Sequence, residues 1–217
     1  MFNRTLKQPA FFLLPSFWWL SYAFFCYLML EITLQYIPAQ NDVAFLRIKQ
    51  DATHYWYYLP AFFVHAYTAV LVLPAGFTQF SGRLRRKFPL LHRRMGYLYV
   101  GAVLLAAGPT GLVIGIHANG GWASQLAFCL LAVLWLIFTG LAWQRARQKR
   151  WAAHRRWMLR SFALALSAIT LRAWKYVLVA LFHPHPMDVY RWVAWLGWVL
   201  NLAVVEIFIY YQSRKLP

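Results

Sequence analysis

Six stretches of mostly apolar residues divide this 217-residue chain, and the gaps between them are too short to hold a soluble domain. They run over about 10–34, 57–80, 95–116, 122–143, 157–182 and 190–211. A helix crossing a bilayer needs about 20 such residues, because the hydrocarbon core is about 30 Å thick and each residue rises about 1.5 Å. Hydrophobic residues make up 62% of the chain and charged residues 12%. No single soluble core of this size buries that much apolar surface, and disorder requires the opposite composition. The expectation is an all-α integral membrane protein: one transmembrane domain over residues 1–217, with six transmembrane helices in an antiparallel bundle and helices two to five as its core.

The formal net charge of +17 is explained by where the cations sit. Arg4 and Lys7 precede the first stretch. Arg83, Arg85, Arg86, Lys87, Arg93 and Arg94 fall around one gap; Arg145, Arg147, Lys149, Arg150, Arg155, Arg156 and Arg160 fall around another; Arg214 and Lys215 lie near the end. The remaining gaps hold Arg47, Lys49 and Arg191, offset by Asp42, Asp51 and Asp188. Basic loops stay on the cytoplasmic side of a membrane. The pattern therefore predicts cytoplasmic termini, lipid as the surrounding partner and no role for nucleic acid. The run from Phe11 to Leu30 is too long for a signal-peptide core and reads as an uncleaved first span.

The one sizeable loop on the other side, about 35–56, is expected to hold a short surface helix near Val43 to Gln50. The turns at His117–Gly121 and His183–Asp188 are short and contain Gly or Pro, which suits antiparallel neighbours. Cys26 and Cys129 lie inside apolar stretches with no metal-like or disulfide spacing. The chain has no HExxH, GxSxG or Walker motif, and its five acids are too few for a carboxylate-rich metal site.

The two basic gaps echo each other. Arg83 to Met95 overlays Arg145 to Trp157 at an offset of 62 residues, aligning His92-Arg-Arg with His154-Arg-Arg. This suggests that helices two–three and four–five are copies of one hairpin. It also sets His92 and His154 at one height on two helices, which is what the two axial ligands of a haem iron require. Arg93, Arg155 and Arg160 then stand where guanidinium forks would pair with haem propionates. The competing reading makes both histidines parts of solvated basic loops.

Polar groups inside spans are expensive and are functional candidates. His65 and Arg172 fall at similar depth in the half of the bilayer away from the basic loops, where they would share a second cofactor-binding site; otherwise His65 is a satisfied core histidine and Arg172 snorkels beside Lys175. Glu206 stands at the height of Arg160 and His154 and should pair structurally. Asn201, near mid-membrane, should hydrogen-bond between helices. His54, His117, His183 and His185 read as ordinary turn residues.

The run from His65 through Pro74, Gln79-Phe80, Arg83, His92-Arg93, Gly96 and Tyr99 resembles the domain-of-unknown-function family twenty-three-oh-six, of bacterial multi-pass membrane proteins. The second half agrees, with Gly121, Trp135, His154-Arg-Arg-Trp-Met-Leu-Arg160-Ser161, Arg172, Trp195-x-x-Trp198-x-x-Asn201 and Glu206. The resemblance covers about Tyr57 to Ile209, and His65, His92, His154, Arg160, Arg172, Asn201 and Glu206 match its polar positions, whereas His117 does not. It implies a place in the bacterial inner membrane and no settled activity. A looser likeness is to cytochrome b561-like membrane cytochromes, which share the six-helix count and inside termini. The chain departs from them in having no histidine in helix four and no well-buried one in helix three, so at most one bis-His site is supported and His65 would need a different partner.

The function expected from these residues is that of a b-type cytochrome-like membrane protein in electron transfer, with His92 and His154 as ligands to haem b iron and a quinone among the options for the second site. The competing expectations are a non-enzymatic accessory subunit of a larger membrane complex and a small transporter.

Overall fold

A computed structural model describes residues 13–214, and every described element is helical. Arg4, Lys7 and Lys215, counted above in the charge pattern, lie outside the described residues. Helix α1 (Leu13–Leu34) is followed by a 3₁₀ turn (Ala44–Ile48) and a single turn of helix, α2 (Gln50–Thr53), where one surface helix is expected from sequence. Then come α3 (Tyr58–Thr78), a short α4 (Gly82–Lys87) in the first basic loop, and α5 (Pro89–Gly101). A π-helical segment (Ala102–Ala107) joins α5 to α6 (Gly108–Ile116). After α7 (Trp122–Arg147), α8 (Trp151–Ala165) and α9 (Ser167–Phe182) form one path bent by 41°, and α10 (Pro186–Arg214) closes the described chain.

Four of these paths are long and apolar enough to cross a membrane: 58–78, 89–116, 122–147 and 187–214; the bent α8–α9 pair makes a fifth. The third path begins six residues earlier than its apolar stretch and the fourth ends four residues later. Hydrophobicity marks only the part of a helix in hydrocarbon, whereas helix propensity carries Arg93, Arg94 and Arg145 into the same rods. The end bearing both basic loops is called the basic end below.

Small residues let the rods approach. A Cβ on Gly76 of α3 would stand 2.6 Å from the Phe162 ring of α8 and 2.8 Å from Tyr99 of α5, and one on Gly197 of α10 would stand 2.9 Å from Leu171 of α9. Close backbone contact through small residues drives helix association in lipid. The turn into α7 uses Gly120 and Gly121 at φ +89° and +79°, a region that only glycine enters without strain. The largest buried cluster joins Val72, Ala75, Tyr99, Val103, Trp135, Met158 and Phe162 with Trp198. Helices two to five thus supply most of this cluster, but α10 enters it through Trp198, which the expected core leaves out.

The two inferred hairpin copies keep one register. Helices α5 and α8 begin at Pro89 and Trp151, 62 residues apart, and His92 and His154 are each the fourth residue of their helix. Both paths are also interrupted at one level: the π segment shifted by 62 becomes 164–169, and the break at Leu166 falls inside it. In the first copy Pro109 has no N–H to give the preceding turn, and the wide π turn absorbs the misfit. In the second, Thr170 bonds back to the Leu166 carbonyl at 3.1 Å, and Asn201 donates to the Ala163 carbonyl at 3.1 Å and to Thr170 Oγ1 at 2.9 Å. Such side-chain bonds to helix carbonyls hold a helix bent.

Candidate functional site

Halfway along the bundle, Tyr99 of α5, Ser161 of α8 and Thr139 of α7 join in a fully buried network. The Tyr99 and Ser161 hydroxyls are 2.7 Å apart, Ser161 and Thr139 are 2.7 Å apart, and Thr139 donates to the Trp135 carbonyl at 2.7 Å. Trp135 Nε1 donates to the Tyr99 oxygen at 3.4 Å. Every member has a partner, so the network ties three helices together without leaving a polar atom unmet. Tyr99, Trp135 and Ser161 lie in the motif runs read above, but nothing in their residue types singles them out as a network; the interval of 62 between Tyr99 and Ser161 was the available signal.

His92 and His154 stand two turns toward the basic end from this network. The imidazoles lie within electrostatic reach of each other. His154 Nδ1 is 2.8 Å from the Ala142 carbonyl of α7. A carbonyl only accepts, so Nδ1 carries the proton and Nε2 keeps its lone pair for a ligand. His92 is different: its Nδ1 is buried with no hydrogen-bond partner, although its backbone carbonyl accepts from Gln79 Nε2 at 3.2 Å. Arg93 and Arg155 are exposed nearby. Arg160 is already engaged: its fork meets Glu206 of α10 at 2.5 and 2.7 Å, and its guanidinium carbon lies 4.7 Å from the Trp157 ring centroid. It is committed to the carboxylate before any propionate.

His65 and Arg172 occupy one region at the other end, within electrostatic reach but without a bond between them. His65 Nδ1 is 2.8 Å from the Ala107 carbonyl at the end of the π segment, so its Nε2 also keeps a lone pair. Arg172 donates to the Ala168 carbonyl one turn back at 2.5 Å. Its charge reaches Tyr190, in α10, Tyr36, after α1, and Tyr176, one turn on in α9. Neither Tyr36 nor Tyr190 is marked by a sequence motif; both arrive through the docking of α1 and α10. Lys175 is exposed.

The turn histidine His117 has more contacts than its position suggests. Its Nε2 lies 3.1 Å from the Tyr57 hydroxyl, and its ring centroid is 5.0, 5.5 and 5.9 Å from those of Tyr55, Tyr58 and Tyr57. Buried Lys49 donates to its carbonyl. Burial pushes the Lys49 ammonium below the ordinary lysine range, with Asp51 pulling the other way. Beside this cluster is a cavity of about 440 Å³ lined by Tyr57, Ala61, Val64, Thr110, Val113 and His117. Its one hydroxyl from α6, on Thr110, is turned into the Ala106 carbonyl. Among the described residues no three of His, Cys, Asp and Glu gather as a metal site, and Cys26 and Cys129 are unbridged.

A family model described as a predicted membrane protein (DUF2306) matches residues 62–209. The chain belongs to this family, and all the groups just described except Cys26, Tyr36, Lys49, Asp51, Tyr55, Tyr57, Tyr58 and Ala61 fall inside the match. No curated protein and no solved structure matches the chain, so the looser likeness to b561-type cytochromes finds no support there.

Proposed function

We propose that this family member is a b-type cytochrome-like electron carrier, a single six-span unit of the bacterial inner membrane with its basic end and both termini in the cytoplasm. The observation that carries the reading is the His92–His154 pair. Equivalent positions of two matching helices bring two imidazoles into mutual reach, His154 with its proton fixed on Nδ1 and His92 with a buried nitrogen that no protein group satisfies. Anchoring the distal nitrogen on a carbonyl is how proteins orient an axial histidine. Haem b held by these two residues would supply one-electron transfer. Of the arginines, Arg93 and Arg155 are free to meet propionates, and Arg160 serves by holding α8 to α10. A lipid-soluble quinone is the redox partner this reading calls for.

The test is the visible spectrum of the full-length protein expressed with ample haem. A Soret band with a sharp α band on reduction supports the reading, and a colourless protein overturns it. A second reading, a non-catalytic subunit of a larger membrane complex, draws on the Tyr99–Ser161–Thr139 network, Asn201 and the Arg160–Glu206 pair, all of which act as interhelical ties. Partners that co-purify with a colourless protein would favour it.

A further inference from the structure

The cavity of about 440 Å³ beside His117 is a groove between two helix faces. Tyr57, Ala61 and Val64 line it from the α3 side, and Thr110, Val113 and His117 from the α6 side. Tyr57 is the cap residue at the start of α3 and His117 the one at the end of α6, so both polar side chains stand at the end opposite the basic loops. From Tyr57 to Val64, and from His117 back to Thr110, the groove runs about 10 Å down both helices. Exposed Tyr55, Trp56 and Trp122 belong to the same end, and such side chains settle at the level of the lipid headgroups. The mouth of the groove therefore lies at headgroup depth and its floor in hydrocarbon. Exposed Val64 and Ile116 mark the side on which it opens to the bilayer. No Lys, Arg, Asp or Glu among the described residues lines it.

The polar pair at the mouth is firmly held. The His117 N–H bonds to the Ile114 carbonyl at 3.2 Å, and its own carbonyl accepts from buried Lys49. Its ring packs edge-on against Tyr58, with centroids 5.5 Å apart. The Tyr55 ring lies 5.0 Å from it and stacks on Tyr57 at 5.5 Å. An ordinary turn histidine needs none of these contacts. They fix Nε2 at 3.1 Å from the Tyr57 hydroxyl, where the pair has two states. With the imidazole proton on Nδ1, Tyr57 gives its hydrogen to Nε2 and its oxygen is free to accept. With the proton on Nε2, the ring gives it to the Tyr57 oxygen and the phenol hydrogen is free to be given. The phenol is thus an acceptor in one state and a donor in the other, without a net charge in either. At the floor, Thr110 spends its hydrogen on the Ala106 carbonyl at 2.6 Å, so no donor is offered there.

We propose that the groove between α3 and α6 binds an uncharged membrane lipid that carries a hydroxyl, with the hydroxyl on the Tyr57 oxygen and the apolar chain against Ala61, Val64 and Val113. A hydroxyl both gives and accepts, so it is partnered at the phenol in either state of the Tyr57–His117 pair. An ester or quinone carbonyl only accepts and is partnered there in one state. A carboxylate or phosphate brings a charge that no side chain lining the groove balances, and burying an unbalanced charge is unfavourable. With its head at the mouth, the chain points down the groove as lipid chains of that leaflet do, so the molecule enters sideways from the bilayer. This inference does not draw on the haem reading.

The experiment uses the full-length protein in zwitterionic lipid nanodiscs and a dodecanol probe carrying a photoreactive diazirine in its chain, with labelled residues mapped by mass spectrometry. Labelling should saturate and fall on 57–64 and 110–117. Excess dodecanol should compete it away, whereas methyl laurate, sodium laurate and decyl-benzoquinone should each compete about fivefold more weakly or worse. Tyr57→Phe keeps the stacked ring and removes the hydroxyl. It should weaken dodecanol about fivefold and bring it level with methyl laurate. Should Tyr57→Phe fail to fold, Val113→Trp fills the groove and should remove the saturable labelling, while Lys175→Gln leaves it unchanged. The proposal is overturned if labelling does not saturate, if it spreads evenly over the lipid-facing helices, if the ester, the carboxylate or the quinone competes as well as dodecanol, or if the Tyr57 and Val113 variants label as the parent does.

Discussion

The hydroxyls of Tyr99 and Ser161 are 2.7 Å apart and 62 residues apart in sequence, the interval that also separates His92 from His154. Contact between equivalent positions of two copies occurs only next to the axis that relates them. The Tyr99–Ser161 bond therefore marks the centre of the duplicated four-helix region, with the two histidines placed symmetrically about it toward the basic end.

Removing a hydroxyl from that centre should be costly. Ser161→Ala breaks the bonds to both Tyr99 and Thr139, and Tyr99→Phe breaks one and strips the Trp135 N–H of its acceptor. Each should destabilise the protein by about 1–3 kcal/mol, with Ser161→Ala the larger. Unfolding of purified variants in mild detergent measures both, and equal stability of parent and Ser161→Ala would contradict the network's role.

The histidine pair makes a sharper demand. An iron with two imidazole ligands opens a position when either is lost, so His92→Ala and His154→Ala should each abolish the low-spin haem spectrum, while His117→Ala keeps it. If pigment survives in both single variants, the ligands lie elsewhere.

Orientation is checked by reporter fusions. Fusions after Arg86 and Arg150 should report cytoplasm and one at Asp42 the opposite side, since basic loops resist translocation. A basic loop found outside would reverse the proposed placement of the His92–His154 pair relative to the cell.

Glu206 should matter for the fold and not for pigment. Its bidentate bond to Arg160 is partly exposed, so the coupling from a double-mutant cycle of Arg160→Gln and Glu206→Gln should be modest, about 0.5–1.5 kcal/mol. Glu206→Gln should lower the unfolding midpoint while leaving any haem-to-protein ratio unchanged, and absorbance normalised to protein distinguishes the two effects.

Lys49 gives a pH dependence with a definite sign. Its folded-state pKa is lowered by burial, so the unfolded chain binds more protons at this site in the window between the lowered value and the ordinary lysine range. Its contribution to stability therefore rises as pH climbs through that window. The midpoint of the parent relative to Lys49→Gln should increase as pH rises toward the ordinary lysine range, and a difference that is flat or falls with pH would show that Asp51 outweighs burial.

Much of this was readable from the chain alone. Apolar length and basic gaps located the rods, and depth along two helices was enough to bring Arg160 to Glu206 and Asn201 to a neighbouring helix. The bend at Leu166 was not readable, because no Pro or Gly marks it; it is held by Asn201, 35 residues further on. Tyr36, Tyr190 and Lys49 were missed for a related reason. Tyrosines near span ends ordinarily anchor in headgroups and loop lysines ordinarily face water, and only the packing of α1, α10 and the 35–56 loop turns these three inward.

At the basic end, Arg85, Arg86, Lys87, Arg93, Arg94, Lys149, Arg150, Arg155 and Arg156 face outward, and the one described carboxylate there, Glu206, is taken by Arg160. Among the described residues no free carboxylate balances this face, and anionic headgroups in the adjoining leaflet are the expected source of that charge. Acidic lipid is therefore expected to stabilise the folded state. Neutral detergent leaves nine like charges crowded on one rim, so the same chain should be more stable when phosphatidylglycerol is added back, and that gain should fade as salt takes over the screening.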